Sequence, residues 1–521
     1  MLRLDPASCL PPLPLHGSAA SRTIERAALA ALPQHRLMQR AAGAVAALAR
    51  ALQPHARQVW IACGPGNNGG DGLLAAALLR TQLPQTRLTV SWQGDEARLP
   101  DDARHALQQA RAAGLEFSDQ PPADFDLGID ALLGLGGRGL ETGPMADWMR
   151  VLQRTRATVL CVDLPSGLDC DSGAWLNPFE ARPMGPRHTL SLLTLKPGLF
   201  TADGRDAAGQ VWLDRLGVAA DMIPPDAWLN APEADPGAAR QQCHGAHKGC
   251  HGDLLVLGGQ DVSVDGQGMS GAAILAARAG LQAGAGRVYL GLLGAGPATP
   301  ALDPLWPELM FRPAQASAEG ELAGQATTVC GCGGGQSVRA VLPALLERSP
   351  RLVLDADALN ALAWQADWRA ALSRRLARGQ HSILTPHPLE AARLLGCSSA
   401  QVQADRLQAA RELAQQFQCV VVLKGSGSVI AAPGQIPFIN PTGNALLASA
   451  GTGDVLAGMV GAYWAQTAQA SKDQPADGAL ALALQSACRA VHRHGRLADD
   501  WPRGRGLRAA ELLNGLAPWP G

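Results

Sequence analysis

Two glycine-rich segments carry the polar residues of this sequence that are best suited to chemistry. In one of them, Gly451-Thr-Gly-Asp454 runs directly into the apolar stretch Val455 to Val460, which predicts the first turns of a helix. Because the free N–H groups of a first helical turn carry the positive end of the helix dipole, this junction favours a phosphate or a developing alkoxide. Asp454 would then accept a proton from a hydroxyl that faces the phosphate. The alternative is an ordinary helix-start aspartate that follows a turn.

The other segment, Gly64-Pro-Gly-Asn-Asn-Gly-Gly-Asp-Gly72, lies between a predicted strand at Gln58 to Cys63 and a helical stretch that begins at Leu73. Strand, glycine-rich loop and helix in this order form the phosphate-binding turn of a doubly wound α/β sheet. A generic turn would explain the glycines. It would not need the polar side chains of Asn67, Asn68 and Asp71, and this surplus favours a ligand role.

The elements around this segment indicate a parallel sheet. Arg22 to Leu52 predicts one or two surface helices, because apolar residues and arginines recur there at helical spacing. Further strands are predicted at Arg87 to Trp92, Phe125 to Asp130, Thr158 to Asp163 and Thr189 to Leu195. Asp130 and Asp163 each end a strand before a glycine-containing loop, so we expect three loops to converge on one crevice. For Asp163 the alternative is a turn or helix-cap aspartate.

A proline-rich stretch over residues 222–242 predicts a linker between domains at 1–221 and 243–521. The second half repeats the α/β pattern, with strands at Asp253 to Leu257, Arg287 to Gly291 and Ala326 to Gly331 and a helix at Ser270 to Ala283. Lys424, which ends a later β run before Gly-Ser-Gly-Ser428, suits a nucleotide phosphate, although a surface lysine at a hairpin is the alternative.

A cluster of cysteine and histidine follows the linker and permits zinc binding. Its members are Cys243, His244, His247, Cys250 and His251. A second pair at the usual finger distance is missing, and Lys248 amid the ligands would oppose a cation. We therefore favour the alternative, in which the segment is the entry to the second domain.

Composition limits the possible functions. A chain of 521 residues with 47% hydrophobic residues is expected to form two domains. A net charge of -1 without a dense Lys/Arg block argues against a nucleic-acid surface or an anionic membrane as partner. The 11 scattered cysteines predict reduced thiols in the cytoplasm. Neither an export signal nor an apolar run long enough to span a membrane is visible.

The motifs of the first half resemble the NAD(P)H-hydrate epimerase domain. The segments that carry the resemblance are GPGNNGGDG from Gly64, DALLGLGGRG from Asp130, DLPSG from Asp163, and the later TLSLLTLKPGLF and GQVWLDRLGV. The resemblance implies a Rossmann-like doubly wound sheet, an acid/base role for Asp163, and a potassium ion held by Asn68, Asp130 and Ser166, whose oxygens suit a hard cation. The substrate-binding residues that it implies are Asn67, Asn68, Gly69, Gly70, Asp71, Gly134, Leu135, Gly136, Gly137, Arg138, Gly139, Leu140 and Asp163.

The second half resembles the ADP-dependent NAD(P)H-hydrate dehydratase family, which has a ribokinase-like α/β fold. The segments that carry this resemblance are HKG from His247, SGAAILAARAGLQAGAG from Ser270, DADALN from Asp355, LTPHPLE, VVLKGSGS and NPTGN with GTGDVLAG. The family's Pro-Gly-Leu-Gly loop reads Cys332-Gly-Gly-Gly335 here, which leaves the choice between Gly333 and Gly335 open. The implied nucleotide-binding residues are Lys424, Gly425, Ser426, Gly427, Ser428 and Gly453, and the implied dehydratase substrate-binding residues are Ala273, Gly333, Gly335, His387 and Asp454.

Together the resemblances imply a bifunctional repair enzyme. One domain would interconvert the R and S hydrates of NADH and NADPH, and the other would dehydrate the S hydrate with ADP, with catalytic Asp163 and Asp454 respectively. They also imply ADP or ATP, Mg²⁺ and K⁺ as cofactors, and a homo-oligomer. The alternative is a ribokinase-like small-molecule kinase fused to a non-catalytic ligand-binding module. The intact set of Asn68, Asp130 and Asp163 argues against that module.

Overall fold

The computed structural model describes residues 1–5, 11–137, 139–176, 183–219, 223–231, 245, 247–294, 301–470 and 478–516. The chain divides into two compact units, the first comprising Met1–Asp5 and Pro14–Ala227 and the second Pro6–Leu13 and Trp228–Gly521. The predicted domain limits at residues 221 and 243 stay a prediction, since residues 220–222 and 241–244 lie outside the described ranges.

The first unit contains a mostly parallel sheet with helices. Its strands are β1 (Leu2–Arg3), β3 (Gln58–Cys63), β4 (Arg87–Trp92), β5 (Glu116–Phe117), β6 (Leu127–Ala131), β7 (Thr158–Val162), β8 (Arg187–Leu192) and β9 (Gln210–Asp214), and β2 (Leu13–Leu15) precedes β3 in the chain. Its helices are α1 (Ser18–Ala31), α2 (Arg36–Leu52), α3 (Asn67–Gln82), α4 (Asp101–Ala112), α5 (Pro144–Arg154) and α6 (Gly204–Ala208).

The strand order of this sheet, β1-β9-β8-β7-β6-β3-β4-β5, confirms the predicted doubly wound α/β architecture. Every pair is parallel except β1 with β9. The chain winds from β3 outward to β5 and then returns to β6 on the other side of β3. A crevice therefore opens at the carboxyl ends of β3 and β6, where the winding direction changes.

One local prediction for this unit was wrong in detail. The asparagine motif is the first turn of α3 rather than a loop, because α3 begins at Asn67. Glycine permits this tight turn: a Cβ at Gly69 would lie 2.0 Å from the carbonyl oxygen of Gly64. The prediction of one or two surface helices corresponds to α1 and α2, and α2 packs Leu37 and Val45 into the core beside the sheet while Gln39 and Arg50 stay exposed.

The second unit is built on a larger sheet. Its strands are β10 (Ala227–Leu229), β11 (Asp253–Gly258), β12 (Arg287–Leu292), β13 (Met310–Phe311), β14 (Thr327–Cys330), β15 (Arg351–Leu354), β16 (His381–Leu384), β17 (Val420–Leu423), β18 (Val429–Ala431) and β19 (Phe438–Ile439). Within this unit the order is β13-β12-β11-β14-β15-β16-β17-β18-β19-β10. Strands β11 to β17 pair in parallel, and β18 is antiparallel to both of its neighbours.

The helices of the second unit follow most of its strands. They are α7 (Val262–Asp265), α8 (Ser270–Gln282), α9 (Ala314–Glu319), α10 (Glu321–Gln325), α11 (Val338–Arg348), α12 (Asp357–Trp364), α13 (Ala366–Ser373), α14 (Pro388–Leu395), α15 (Ser399–Ala404), α16 (Arg406–Phe417), α17 (Thr452–Ala470), α18 (Ala479–Asp499) and α19 (Ala509–Leu512). Helices α8 and α17 approach closely through small residues, since a Cβ at Gly458 would lie 2.0 Å from the carbonyl oxygen of Ala276. This contact fixes the start of α17 against the apolar core.

The described part of the predicted linker, residues 223–231, contains a strand. Strand β10 lies inside residues 222–242 and pairs in parallel with β19 through Trp228 and Leu229. Ala227 and Leu229 are buried, so an apolar run too short to stand out between prolines is enough for a strand here. Among the described helices, none is long and apolar enough to cross a membrane.

Two candidate active sites

A cavity of about 570 Å³ opens in the first unit beside the carboxyl ends of β3, β6 and β7. The predicted substrate-binding residues that line it are Asn67, Asn68, Asp71, Gly134, Leu135, Gly136, Leu140 and Asp163. Gly69, Gly70, Gly137 and Gly139 are not among its lining residues, and Arg138 lies outside the described part of the chain. The sheet topology thus brings most of the predicted set to one crevice.

Asp163 is held rigidly at the wall of this cavity. Its backbone is left-handed, with φ at 65°, an uncommon conformation for a residue other than glycine. Its Oδ1 accepts hydrogen bonds from Lys196 Nζ and, at 3.0 Å, from the backbone N–H of Leu192. The Lys196 ammonium also donates to Ser191 Oγ and to the carbonyl of Leu192. Asp163 Oδ2 accepts no hydrogen bond from the described residues, and the side chain keeps 12% of its surface exposed.

The two asparagines of α3 carry amide atoms without a partner. Within the described residues, Asn67 Oδ1 and Asn68 Nδ2 are buried and lack a hydrogen-bond partner. A buried amide atom without a partner costs free energy, so these atoms are suited to a ligand that pairs with them. Asn68 lies next to Gly134, where an added Cβ would be 3.4 Å from the asparagine side chain.

The residues predicted to hold potassium are partly brought together. Ser166 donates to Asp130 twice, from Oγ at 2.5 Å and from its backbone N–H at 2.9 Å. Asp130 is buried, and this burial raises the pKa of its carboxyl. Asn68 lines the neighbouring cavity and makes no hydrogen bond to Asp130 or Ser166.

Sequence reasoning missed Lys196 and Glu25, which both line the cavity. Lys196 stands in the TLSLLTLKPGLF segment, yet it drew no separate attention. One signal was available, because only four of the 44 basic residues are lysines and the rest are arginines. Where arginine is so strongly preferred, a lysine at the end of a β run indicates a site that needs an ammonium group.

The second site lies at the start of α17, where Asp454 stands in the first helical turn as predicted. The pKa of Asp454 is raised to about 6, chiefly because the carboxyl is buried and secondly because Asp355 is negatively charged. Carboxylate oxygens of Asp355 and Asp454 and the Sγ of Cys332 lie within 4.8 Å of one another. The pKa of the Cys332 thiol lies well above its ordinary value because the side chain is buried, so the thiol stays neutral there.

Lys424 belongs to this site and is not a surface lysine. It follows β17 at the β17–β18 hairpin, but its Nζ donates to Asp355 Oδ1 at 2.7 Å. Thr385 Oγ1 donates to the same oxygen at 2.7 Å. A Cβ at Gly453 would lie 3.5 Å from Lys424 Nζ, so the ammonium stands beside the glycine-rich start of α17. Asp355 and Thr385 are functional candidates that the sequence analysis did not single out.

The remaining predicted nucleotide residues form the hairpin turn after Lys424. Gly425 has a φ of 142°, and a Cβ there would lie 2.8 Å from the Arg406 guanidinium. Gly425 and Ser426 are exposed, and Ser428 Oγ donates to the carbonyl of Gly425 at 3.2 Å. A turn that combines exposed backbone with a neighbouring ammonium suits an anionic ligand.

The predicted substrate contacts of the second unit differ in exposure. Gly333 and Gly335 both have left-handed backbones, and the N–H of Gly335 donates to Asp357 Oδ2 at 2.8 Å. Ala273 is fully buried under the Gly258–Gly259 turn. His387 caps α14: its Nδ1 accepts from the backbone of Leu389 and Glu390.

The role of these residues toward substrate stays a prediction. Burial lowers the pKa of His387, so its imidazole is neutral near pH 7. Both ring nitrogens are engaged, since Nε2 lies 3.2 Å from Glu390 Oε1. Only the exposed edge of the ring is left for a ligand.

The zinc interpretation receives no support among the described residues. His247 Nδ1 accepts from the backbone N–H of Gly249, Cys250 is an exposed free thiol, and no group of metal ligands there includes either residue. Cys243 and His244 lie outside the described residues.

Both units match known families. The family model described as YjeF-related protein N-terminus matches residues 34–198, and the one described as NAD(P)H-hydrate dehydratase matches residues 254–516. The chain is 35% identical to the bifunctional NAD(P)H-hydrate repair enzyme Nnr of Escherichia coli (strain K12), over 94% of this chain and 90% of that protein. It is 32% identical to the enzyme of that name from Coxiella burnetii, over 96% of this chain and 98% of that protein.

A solved structure matches the second half. It is the ADP/ATP-dependent NAD(P)H-hydrate dehydratase from Bacillus subtilis co-crystallized with ATP/Mg2+, with a TM-score of 0.42, 29% identity, and coverage of 55% of this chain and 91% of that chain.

The fold and sites define the class of protein: a two-domain α/β enzyme with a Rossmann-like first unit and a ribokinase-like second unit. The match to full-length relatives makes the assignment specific. The chain belongs to the family of bifunctional NAD(P)H-hydrate repair enzymes. This confirms the resemblance of the motifs and sets aside the alternative of a kinase fused to a non-catalytic module.

Proposed function

We propose that the first unit interconverts the R and S hydrates of NADH and NADPH, and that the second dehydrates the S hydrate with ADP. The observation that carries the proposal is a Lys–Asp ion pair at each site, Lys196 with Asp163 and the half-buried Lys424 with the buried Asp355. Each pair stands beside a glycine-rich helix start, which suits the phosphates of a dinucleotide or a nucleotide. The predicted homo-oligomer, the cytoplasmic location and the choice between ADP and ATP stay predictions.

In the first unit, Asp163 is the proposed acid/base at the hydroxyl-bearing ring carbon. Lys196 and the Leu192 N–H occupy Oδ1, which leaves Oδ2 to exchange a proton with the substrate. Asn67 and Asn68 supply the unpaired amide atoms that orient a polar ring substituent. Leu132 and Leu192 are buried and form part of the apolar wall of the cavity.

Potassium fits the first unit by the chemistry of its donor set. Asp130 and Ser166 supply a carboxylate and a hydroxyl, and the side-chain amide of Asn68 carries the oxygen that would be the third donor. A cation there would offset the free-energy cost of burying the Asp130 charge. When bound, K⁺ would hold the loop after β6 against the start of α3.

We expect epimerisation to weaken when potassium is replaced by tetramethylammonium at equal ionic strength. The bulky cation cannot enter a site of three small oxygen ligands, and the loops that carry Asn68 and Ser166 would lose their clamp. The rate of conversion of pure S hydrate into R hydrate, followed by chromatography, measures the effect. An unchanged rate would rule the site out.

In the second unit, Asp454 is the proposed base for the hydroxyl of the S hydrate. Its raised pKa, about 6, matches a general base that works near neutral pH. Lys424 and the N–H groups at Gly453 would hold the nucleotide phosphates, and Asp355 keeps the Lys424 ammonium in place. A nucleotide fits because these donors converge on one helix start.

Magnesium fits the same site through carboxylate oxygens. Asp355 and Asp454 approach each other within 4.8 Å, whereas the neutral Cys332 thiol is a poor ligand for a hard cation. When bound with the nucleotide, Mg²⁺ supplies positive charge to the phosphates. Proton transfer from the hydroxyl remains the task of Asp454.

One assay tests the combined function. Protein and ADP are added to an equilibrated mixture of R and S hydrate, and the recovery of reduced-nicotinamide absorbance is followed. We expect complete recovery, because the first unit feeds R hydrate into the reaction of the second. Recovery that stops at the S fraction would refute epimerisation, and a stable phosphorylated product would indicate a kinase.

A further inference from the structure

A second carboxylic acid lines the cavity of the first unit and has no task in the reaction described above. Glu25, on α1, lines the same cavity as Asp163 and Asn67. Burial and then the negative charge of Asp163 raise the pKa of Glu25. A carboxyl that is half-buried near a like charge holds its proton more tightly than a free carboxyl does.

Asp163 can serve only one side of a bound ring. Lys196 and the Leu192 N–H hold its Oδ1, and its left-handed backbone is part of a tight strand end. Lys196 cannot replace it as a proton donor, because its three N–H groups are directed at Asp163, Ser191 and the Leu192 carbonyl. Both groups are therefore fixed at one wall of the cavity.

Inversion at the hydroxyl-bearing carbon needs chemistry on both faces of the ring. That carbon is bonded to the ring nitrogen N1, so a protonated hydroxyl leaves as water while the N1 lone pair forms a C=N bond. Return of water to the opposite face gives the other epimer, and a base must take up the released proton. Resting on the proposed epimerase function, we propose that Glu25 is a catalytic residue that serves the ring face opposite to Asp163.

The proposed cycle balances with water as its only co-reactant. The Glu25 carboxyl gives its proton to the hydroxyl oxygen, the C–O bond breaks, and water leaves. Water then adds on the face of Asp163, whose carboxylate takes up a proton. The enzyme now has Asp163 protonated and Glu25 ionised, which is the state required for the reverse conversion.

Oxygen exchange distinguishes this assignment from a structural role. The full chain is incubated without ADP, with pure S hydrate or pure R hydrate of NADH in ¹⁸O-water, and label is measured in each epimer by chromatography and mass spectrometry. The parent chain should interconvert the epimers and label both. The Glu25→Gln chain should interconvert them at least about a hundredfold more slowly. It should still label one epimer, because Asp163 can release and return water on its own face.

The comparison variants complete the test. Asp163→Asn should label only the epimer that stays unlabelled in Glu25→Gln. Glu116→Gln changes an exposed glutamate outside the cavity and should behave as the parent chain does. Glu25→Asp keeps a carboxyl and should retain label in both epimers at a reduced rate, and melting curves verify that each chain is folded.

Several results would overturn the inference. The first is that Glu25→Gln interconverts the epimers at the parental rate. The second is that neither epimer is labelled in Glu25→Gln or in Glu25→Asp. The third is that Asp71→Asn, instead of Glu25→Gln, labels only one epimer. Asp71 is the rival because it lines the same cavity and burial raises its pKa well above the ordinary value. A parent chain that fails to interconvert the epimers would instead refute the proposed function itself.

Discussion

Replacing Asp454 by Asn should reduce dehydration of the S hydrate by about 10² to 10⁴-fold, the usual contribution of a positioned general base. Asparagine keeps the volume and one hydrogen-bonding oxygen, so the start of α17 should stay intact. Nucleotide binding should survive, because Lys424 and the hairpin after β17 are unchanged. The rate of absorbance recovery from pure S hydrate with ADP measures the loss, and the ADP-induced rise in melting temperature measures binding.

The pH profile of the parent chain gives a second measurement for the same residue. Only the ionised carboxylate accepts a proton, so dehydration should fall as the pH drops below about 6, the raised pKa of Asp454.

The matched control for Asp454→Asn is Asp367→Asn, since Asp367 also stands in the first turn of a helix but is exposed. If Asp454→Asn dehydrated S hydrate at the parental rate, Asp454 would be an ordinary helix-start residue.

Replacing Asp163 by Asn should abolish conversion of R hydrate beyond its uncatalysed rate, while pure S hydrate is still dehydrated. The asparagine oxygen can still accept from the Leu192 N–H and Lys196, but its side chain can no longer carry a proton. Lys196 then lacks its counter-charge in a buried position, so we also expect a lower melting temperature. Chromatography of the epimers measures the rate, and Asp147→Asn, at an exposed position, is the control.

Mixing the two variants tests whether the sites act independently. Asp163→Asn and Asp454→Asn added as separate proteins should together repair a mixture of both hydrates, since S hydrate can diffuse from one to the other. Repair that fails in the mixture but occurs in the parent chain would mean that the intermediate does not leave the protein. Epimerisation that persists in Asp163→Asn would move the acid/base role to another group of the cavity.

Much of the fold was predictable because it rests on local patterns. Strands β3 and β4 match their predicted limits of Gln58–Cys63 and Arg87–Trp92, since short apolar runs between glycines and polar turns leave little choice. The observed limits differ from the predicted ones at the start of β6 and at both ends of β8. Polar and apolar residues are mixed there, as in Arg187-His188-Thr189, so only the hydrogen bonds to neighbouring strands determine where each strand ends.

The candidate sites were predictable where glycine and polar residues share one short segment. The motif at Asn67 and the Gly451–Asp454 segment both lie at a helix start, and the strand order brings Asp163 to the same crevice as Asn67. Predictions that depended on the direction in which a side chain points had less support in the sequence. Ala273 lies at the right helix but is fully buried, and His387 uses its nitrogens to cap α14, because side-chain direction depends on packing that spacing does not encode.

The sequence by itself determined the family, the α/β class of both halves and the two catalytic aspartates that we propose, because each depends on contiguous motifs. Only the tertiary structure decided the partners of those aspartates. Lys196 is 33 residues from Asp163, and Lys424 is 69 residues from Asp355. Glu25 reaches the same cavity from the first helix of the unit. Parallel strands bring residues that are distant in sequence to one sheet edge, and burial there sets the proton affinity of their carboxyl groups.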